Sequence, residues 1–342
     1  MLERLTRRSH NGAESGDKVG LGSIRRPIIG LALGGGAARG LAHVGVLRGL
    51  VREGIPIDVV TGTSMGAVVG GAFAACGDIA AVEARVRSLL ASEEFRRTRL
   101  AFLKETKHSR GSLLFSVTNL VRRGVLYGAS TLAGSFLSAE EFVRSLAMIL
   151  PDIDVSETPI RFAASAVDLE GAVEVVLGSG NLREVAAASS AIPGLLPPRR
   201  LHGRLLVDGG WVDKIPILPA FRLGADVVIG VDISADMEEA RTYRHGIDVV
   251  IRANLIKDAA LTTLHRRLAD VILTPDVGKI HWADFESADY CIDAGDRSVA
   301  NAAAEIRELL RLERVRSMVR PGMGKRMAER YLAGADLRFV LE

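Results

Sequence analysis

Apolar residues recur in two rhythms along this chain. Pro27 to Leu33 (PIIGLAL) is a short, near-continuous apolar run, the pattern of a strand buried on both faces of a parallel sheet. It ends in Gly34, Gly35 and Gly36. Leu41, Val44, Leu47, Leu50 and Val51 then fall at helical spacing, with Gly54 placed to stop the helix. A second strand, Ile57 to Thr61, runs into GTSMG and a helix of small residues, Ala67 to Cys76. Two strand–turn–helix units in succession predict a right-handed, mostly parallel α/β sheet with helices on its faces.

Further along, Arg161–Val167 and Val173–Leu177 read as strands joined through Leu169-Glu170-Gly171, and Asn181 is placed to cap the next helix. Arg204–Val207 is a brief strand ending at Asp208, Gly209 and Gly210. Ala225–Val231 and Val271–Thr274 supply two more. From Asp296 to about Val319 a long helix is expected to turn Val299, Ile306, Leu309 and Leu312 inward, before a basic segment broken at Pro321. These patterns divide the chain into a flexible basic tail (1–26), a main α/β domain (27–235) and a helical extension with one added strand (236–342). Residues 80–150 read as a helical, lid-like insertion.

Composition narrows the class. Of 342 residues, 48% are hydrophobic and 25% charged, so disorder is excluded, and the 36 glycines follow no collagen period. Two cysteines make neither a disulfide framework nor a zinc site, which favours a reducing compartment. Cys76 and Cys291 read as buried structural thiols. No metal cluster or cofactor is expected. The first 26 residues lack the apolar run of a signal peptide, and no later stretch reads as a membrane span, so a cytoplasmic protein is expected.

The net charge of +3 conceals an uneven distribution. The tail and the segment Phe95–Arg123 together carry +10, leaving −7 for the remainder. Arg96, Arg97, Arg99, Lys104, Lys107 and Arg110, interleaved with Leu100, Phe102 and Leu103, suit either an anionic membrane surface or an ordinary solvated face. No recognition motif accompanies the charge, so nucleic acid is not an expected partner. Oligomeric state is not legible.

Gly62-Thr63-Ser64-Met65-Gly66 fits a GxSxG nucleophile elbow, and it sits between a strand and a helix as that motif requires. The glycines allow close backbone approach, and the helix N-terminus favours developing negative charge. On the neighbouring turn, the Gly34, Gly35 and Gly36 amides are candidates for an oxyanion hole, supported by Ala37, Arg39 and Gly40. A phosphate loop is disfavoured, because Leu41 and Ala42 follow Gly40 where Lys and Ser/Thr are needed.

A serine hydroxyl needs a positioned base. Asp208, at a strand end and followed by Gly209 and Gly210, is the candidate; its carboxyl would need desolvation to act near neutral pH. Asp213 is a decoy acid five residues on. His245, His265 and His281 keep a Ser–Asp–His arrangement open. SSAIPGLLPP reads as a proline-stiffened loop packed beneath the site in preference to one touching substrate.

LALGGGAARGLAHVGVL, GTSMG, SSAIPGLLPP and DGGWVDKIPI, in that order, resemble the bacterial patatin-like phospholipase family over about Ile28 to Asp232. The resemblance implies a three-layer α/β/α sandwich and a serine acyl hydrolase acting on lipid esters. It puts the nucleophile on Ser64, the acid on Asp208 and the oxyanion loop on Gly34–Gly36; by analogy with hydrolase elbows, Met65 N–H adds a backbone donor. A lipid- or protein-binding regulator that keeps the fold without catalysis remains the alternative. Two positions depart from many relatives. Ala37 replaces a frequent glycine, and Asp213-Lys214 stands where Asn often precedes the proline.

Overall fold

The computed structural model describes residues 26–93, 95, 138–234, 246–319 and 339–341. The basic strip Arg96–Arg110, most of the tail and much of the expected insertion lie outside the described residues. β1 (Ile29–Leu33) leads through a short helical turn, Ala37–Leu41, into α1 (Ala42–Arg52), and β2 (Val59–Gly62) into α2 (Met65–Cys76). α3 (Ile79–Ala91), α4 (Ala139–Ala147), β3 (Arg161–Asp168), β4 (Val173–Leu177) and α5 (Leu182–Ser189) follow. Next come β5 (Arg199–Leu201), β6 (Arg204–Asp208), α6 (Ile217–Arg222) and β7 (Val227–Val231). α7 (Gly246–Arg266), β8 (Val271–Leu273), α8 (Ala288–Val319) and β9 (Phe339–Leu341) complete the order.

The nine strands among the described residues form one mixed sheet, ordered β5-β6-β3-β2-β1-β7-β8, with β4 on the other edge of β3 and β9 on β4. β8, β7, β1, β2 and β3 pair in parallel; β4, β5 and β6 supply the antiparallel pairs. Strand alternation feeds two cores. Leu31, Leu33, Val60, Ile229 and Val231 point into the larger one with α1, α2, α5 and α8, while Ala32, Val59 and Val228 meet α6 on the opposite face. The result is the three-layer α/β/α sandwich.

α8 begins eight residues earlier than its apolar pattern suggested and runs against α1 at backbone distance. A Cβ on Gly45 would sit 1.7 Å from the Ile292 carbonyl oxygen, and one on Gly295 2.0 Å from that of Ala42. Val299 and Ile306 are buried as expected, but Leu312 is exposed because α8 has by then run past the end of α1. Val51 is likewise exposed, on the outer side of α1. Asn181 caps α5 through its side-chain oxygen, which accepts from Arg183 N and Glu184 N. Cys291 is buried under α1, whereas Cys76 is exposed, since it ends α2 where Gly77 turns the chain away. Among the described residues no helix is long and apolar enough to cross a membrane.

Candidate functional site

β2 and β6 lie on the same edge of β3 and approach from opposite ends. Gly62 pairs with Ala164 and Asp208 with Ala166, so both strands stop where only Ser165 separates them. The turns that leave the two strand ends therefore meet. The Ser64 hydroxyl faces the Asp208 carboxyl closely enough to favour its charged form, and both side chains are nearly withdrawn from solvent.

The backbone at Ser64 is strained, with φ 55° and ψ −122°. Close approach on both sides holds it. A Cβ on Gly62 would lie 2.4 Å from the Gly66 oxygen, and one on Gly66 2.1 Å from the Leu33 oxygen. Ser64 N–H donates to Ser189 Oγ (3.0 Å), whose hydroxyl donates to Ser165 O (2.6 Å). Thr61 and Thr63 hydroxyls donate to the carbonyls of Pro216 and Asp213, tying the nucleophile turn to the loop beyond Asp208. Asp208 N–H is held by Ala191 O.

Burial pushes the Asp208 carboxyl up to about 6, against the pull of Gly210 N–H (2.7 Å), the Ser64 hydroxyl and the nearby Lys214 charge. That value suits a base near neutral pH better than the usual aspartate range. The decoy, Asp213, is engaged elsewhere. Its Oδ1 lies 3.0 Å from His265 Nδ1, and its carboxyl hydrogen-bonds Glu174, which accepts from Ser165 Oγ (2.8 Å). Burial and the neighbouring Asp213 raise Glu174 well above the ordinary carboxylate range.

The glycine loop corrects one expectation. Gly34 N–H is taken by Val231 O (3.1 Å) and Gly35 N–H by Lys214 O (2.9 Å), so neither amide is left for an oxyanion. These two residues instead anchor the loop to β7 and to the acid turn. Among the described residues no hydrogen bond takes up the N–H groups of Gly36, Ala37 or Met65. His43, wholly buried, buttresses the loop: its Nε2–H donates to Gly34 O (2.7 Å), and burial lowers its pKa to about 4, so it stays neutral.

Two cavities meet at Ser64. One is almost wholly apolar, lined by Leu41, Met65, Val68, Val86, Leu89, Phe95, Phe142, Leu146 and Ile149. The other also has apolar walls but brings charged side chains to Ser64; it is lined by Gly35, Gly36, Arg39, Asp208, Gly210, Trp211, Lys214 and Asp258. Ala37, Ser64, Ile192, Leu195 and Trp282 form the wall common to both. The SSAIPGLLPP loop is thus part of the cavity wall through Ser190, Ile192 and Leu195, contrary to the buttress reading. Arg39 faces the second cavity, and Gly40 packs against the Met65 side chain. Gly209 opens the turn after Asp208 against the Ser165 carbonyl, and Gly210 next to it faces Thr63.

Among the described residues no histidine lines either cavity. His265 sits on Asp213, and His281 accepts from Ala283 N–H. His245 lies outside the described residues. Nor do those residues contain a cluster of metal-ligating side chains. Sequence reasoning missed Ser189, His43 and Lys214. Ser189 was legible only as the first serine of SSAIPG, with nothing to mark its partner.

Residues 31–221 match the sequence model of the family described as patatin-like phospholipase. A lysophospholipase NTE1 of Kluyveromyces lactis is 30% identical over 207 residues, 60% of this chain and 13% of that protein. An uncharacterized NTE family protein of Mycobacterium tuberculosis is 34% identical over 208 residues, 61% of this chain and 49% of that one. The chain therefore spans half or less of the length of these relatives. Among solved structures, VipD from Legionella pneumophila aligns over 82% of this chain and 67% of its own at 13% identity, with a TM-score of 0.44. The matched region contains the Ser64 turn, the glycine loop and Asp208, and the chain belongs to the patatin-like phospholipase family.

Proposed function

We propose that this protein is a serine acyl hydrolase of lipid esters, with lysophospholipids as its substrate class, and that it belongs among the bacterial members of the family. The observation that carries the reading is the Ser64 hydroxyl, set beside a buried Asp208 where an almost wholly apolar cavity joins one lined by charged side chains. The apolar cavity suits one acyl chain. Arg39 and Lys214 suit the phosphoryl group of the remaining glycerophospho alcohol.

Ser64 Oγ attacks the ester carbonyl carbon while Asp208 takes its proton. The oxyanion meets the amides of Gly36 and Ala37, with Met65 N–H at the helix start. Collapse breaks the ester C–O bond, and the departing alkoxide recovers the proton from Asp208. Water then attacks the acyl-serine, gives a proton to Asp208 and frees the fatty acid; Asp208 returns that proton to Ser64 Oγ. The Ser–Asp–His alternative lacks a histidine in either cavity among the described residues, which favours the two-residue mechanism.

The test is fatty-acid release from a lysophospholipid and from a monoacylglycerol of the same chain, by wild type and Ser64→Ala, with fluorophosphonate labelling alongside. Release and labelling at Ser64 by wild type, both lost in the variant, are expected. A folded wild type that neither labels nor hydrolyses would leave a non-catalytic role.

A further inference from the structure

α7 is amphipathic in the reverse sense for a surface helix. Its protein side is polar: Asp258 lines the cavity of Ser64 and Asp208, Thr262 is buried, and His265 contacts Asp213. Its solvent side is apolar. Val249, Ala253, Ile256, Ala260 and Leu264, at intervals of four, three, four and four residues, fall on one stripe of a helix with about 3.6 residues per turn. All five are exposed, with Val249, Ile256 and Leu264 at 53%, 53% and 56%.

The stripe continues toward the cavity mouth. Trp211, a cavity-lining residue, is 40% exposed, and Val212 beside it 37%. Lys257, on the next edge of the helix, holds its ammonium 5.4 Å from the Trp211 ring and 3.4 Å from Asp258 Oδ1. By helical position Arg252 borders the opposite edge, and Arg267 follows the last turn. An exposed apolar stripe with basic margins suits the boundary between anionic headgroups and acyl chains.

We propose that α7, with Trp211 and Val212, seats the enzyme on an anionic bilayer surface, so that the mouth of the cavity holding Ser64 opens onto lipid. The choice of a bilayer as occupant rests on the lipid-hydrolase reading above. The helix thus serves two partners: its polar face holds the catalytic loop and its apolar face enters the interface. Lipid passing from the membrane to Ser64 then need not cross bulk water.

The experiment is co-sedimentation of the full chain with vesicles of phosphatidylcholine alone and of phosphatidylcholine mixed equally with phosphatidylglycerol. Wild type is expected to sediment preferentially with the anionic vesicles. The double variant Ile256→Glu, Leu264→Glu is expected to lose about 100-fold in partitioning, while circular dichroism and turnover of a soluble short nitrophenyl ester stay near wild type. Leu264→Trp, which needs no buried charge, is expected to be quenched by brominated lipid beyond the wild-type level. Ser64→Ala is expected to sediment like wild type, which separates failure of docking from failure of hydrolysis. The proposal is overturned if wild type does not bind the anionic vesicles, or if the double variant binds them unchanged. It is also overturned if light scattering shows a wild-type dimer that the double variant dissolves while Leu264→Trp remains unquenched.

Discussion

Ser64 and Asp208 are brought together by strands running toward each other along one edge of β3, with Gly62 paired to Ala164 and Asp208 to Ala166. Parallel β2 and antiparallel β6 share that edge end to end, and the gap between their ends is one residue of β3. A serine on the turn after β2 and a carboxylate at the end of β6 must then face each other, although 144 positions of sequence separate them. The same junction explains why burial of the carboxyl is unavoidable: the turns cover one another.

Ser64→Ala and Asp208→Asn are each expected to lower turnover of a nitrophenyl ester by at least about 10³-fold with the fold intact. Steady-state kinetics with circular dichroism checks both. Activity within tenfold of wild type in either variant would sink the two-residue mechanism.

Acid dependence follows from Asp208. The base must be ionised, so kcat/KM should fall about tenfold per pH unit below about 6. Lys214→Met removes a positive charge that favours the ionised form, and should move this limb to higher pH. A pH–rate profile of both proteins measures the shift; movement to lower pH contradicts the electrostatic argument.

Stability should respond in the opposite sense to activity. A carboxyl raised by folding binds its proton more tightly in the native state, so this group favours folding more as pH falls through about 6. The gain is complete below its unfolded value near 3.9. Asp208→Asn removes the desolvated charge and should stabilise by about 1–2 kcal/mol at pH 7. Ser64→Gly should add about 1 kcal/mol by releasing backbone strain at φ 55°. Urea melts at pH 7 and pH 5 test both.

Ser189→Ala strips the buried Ser64 N–H of its acceptor and should cost about 1–3 kcal/mol. Because the lost bond sits at the nucleophile, kcat should fall more than KM changes. A melt combined with full kinetics separates this from a change in substrate binding.

Beneath the site, Glu174→Gln should cost less than about 1 kcal/mol, since the raised carboxyl is already held as a neutral donor toward Asp213. Asp213→Ala leaves both Glu174 and His265 short of a buried partner and should cost about 3 kcal/mol. Equal losses in the two variants would mean that Glu174 is charged in the folded protein.

Much of the local structure is written in short stretches of the chain. Apolar runs bounded by glycine mark β1 and β2, Asn181 marks the start of α5, and GTSMG marks the turn on which Ser64 is held, because each depends on contacts within a few residues. Boundaries shifted where distant partners decide them: α8 starts at Ala288 since Gly295 lets it lie on α1, a contact no periodicity within 288–319 reveals. The glycine loop shows the same limit. Its three amides look alike in sequence, but Val231 and Lys214 carbonyls from remote segments occupy two of them.

What the sequence determined by itself, then, was the set of strand-to-helix turns and which of them carry Ser64 and Asp208. Tertiary structure alone decided that Asp213 is engaged by His265 and Glu174, which amides stay unengaged, and that α7 turns its apolar stripe outward. The physical reason is that backbone turns are governed by local sterics and hydrogen bonding, whereas desolvation, carbonyl capture and the exposed face of a helix depend on strands and helices far away in the chain.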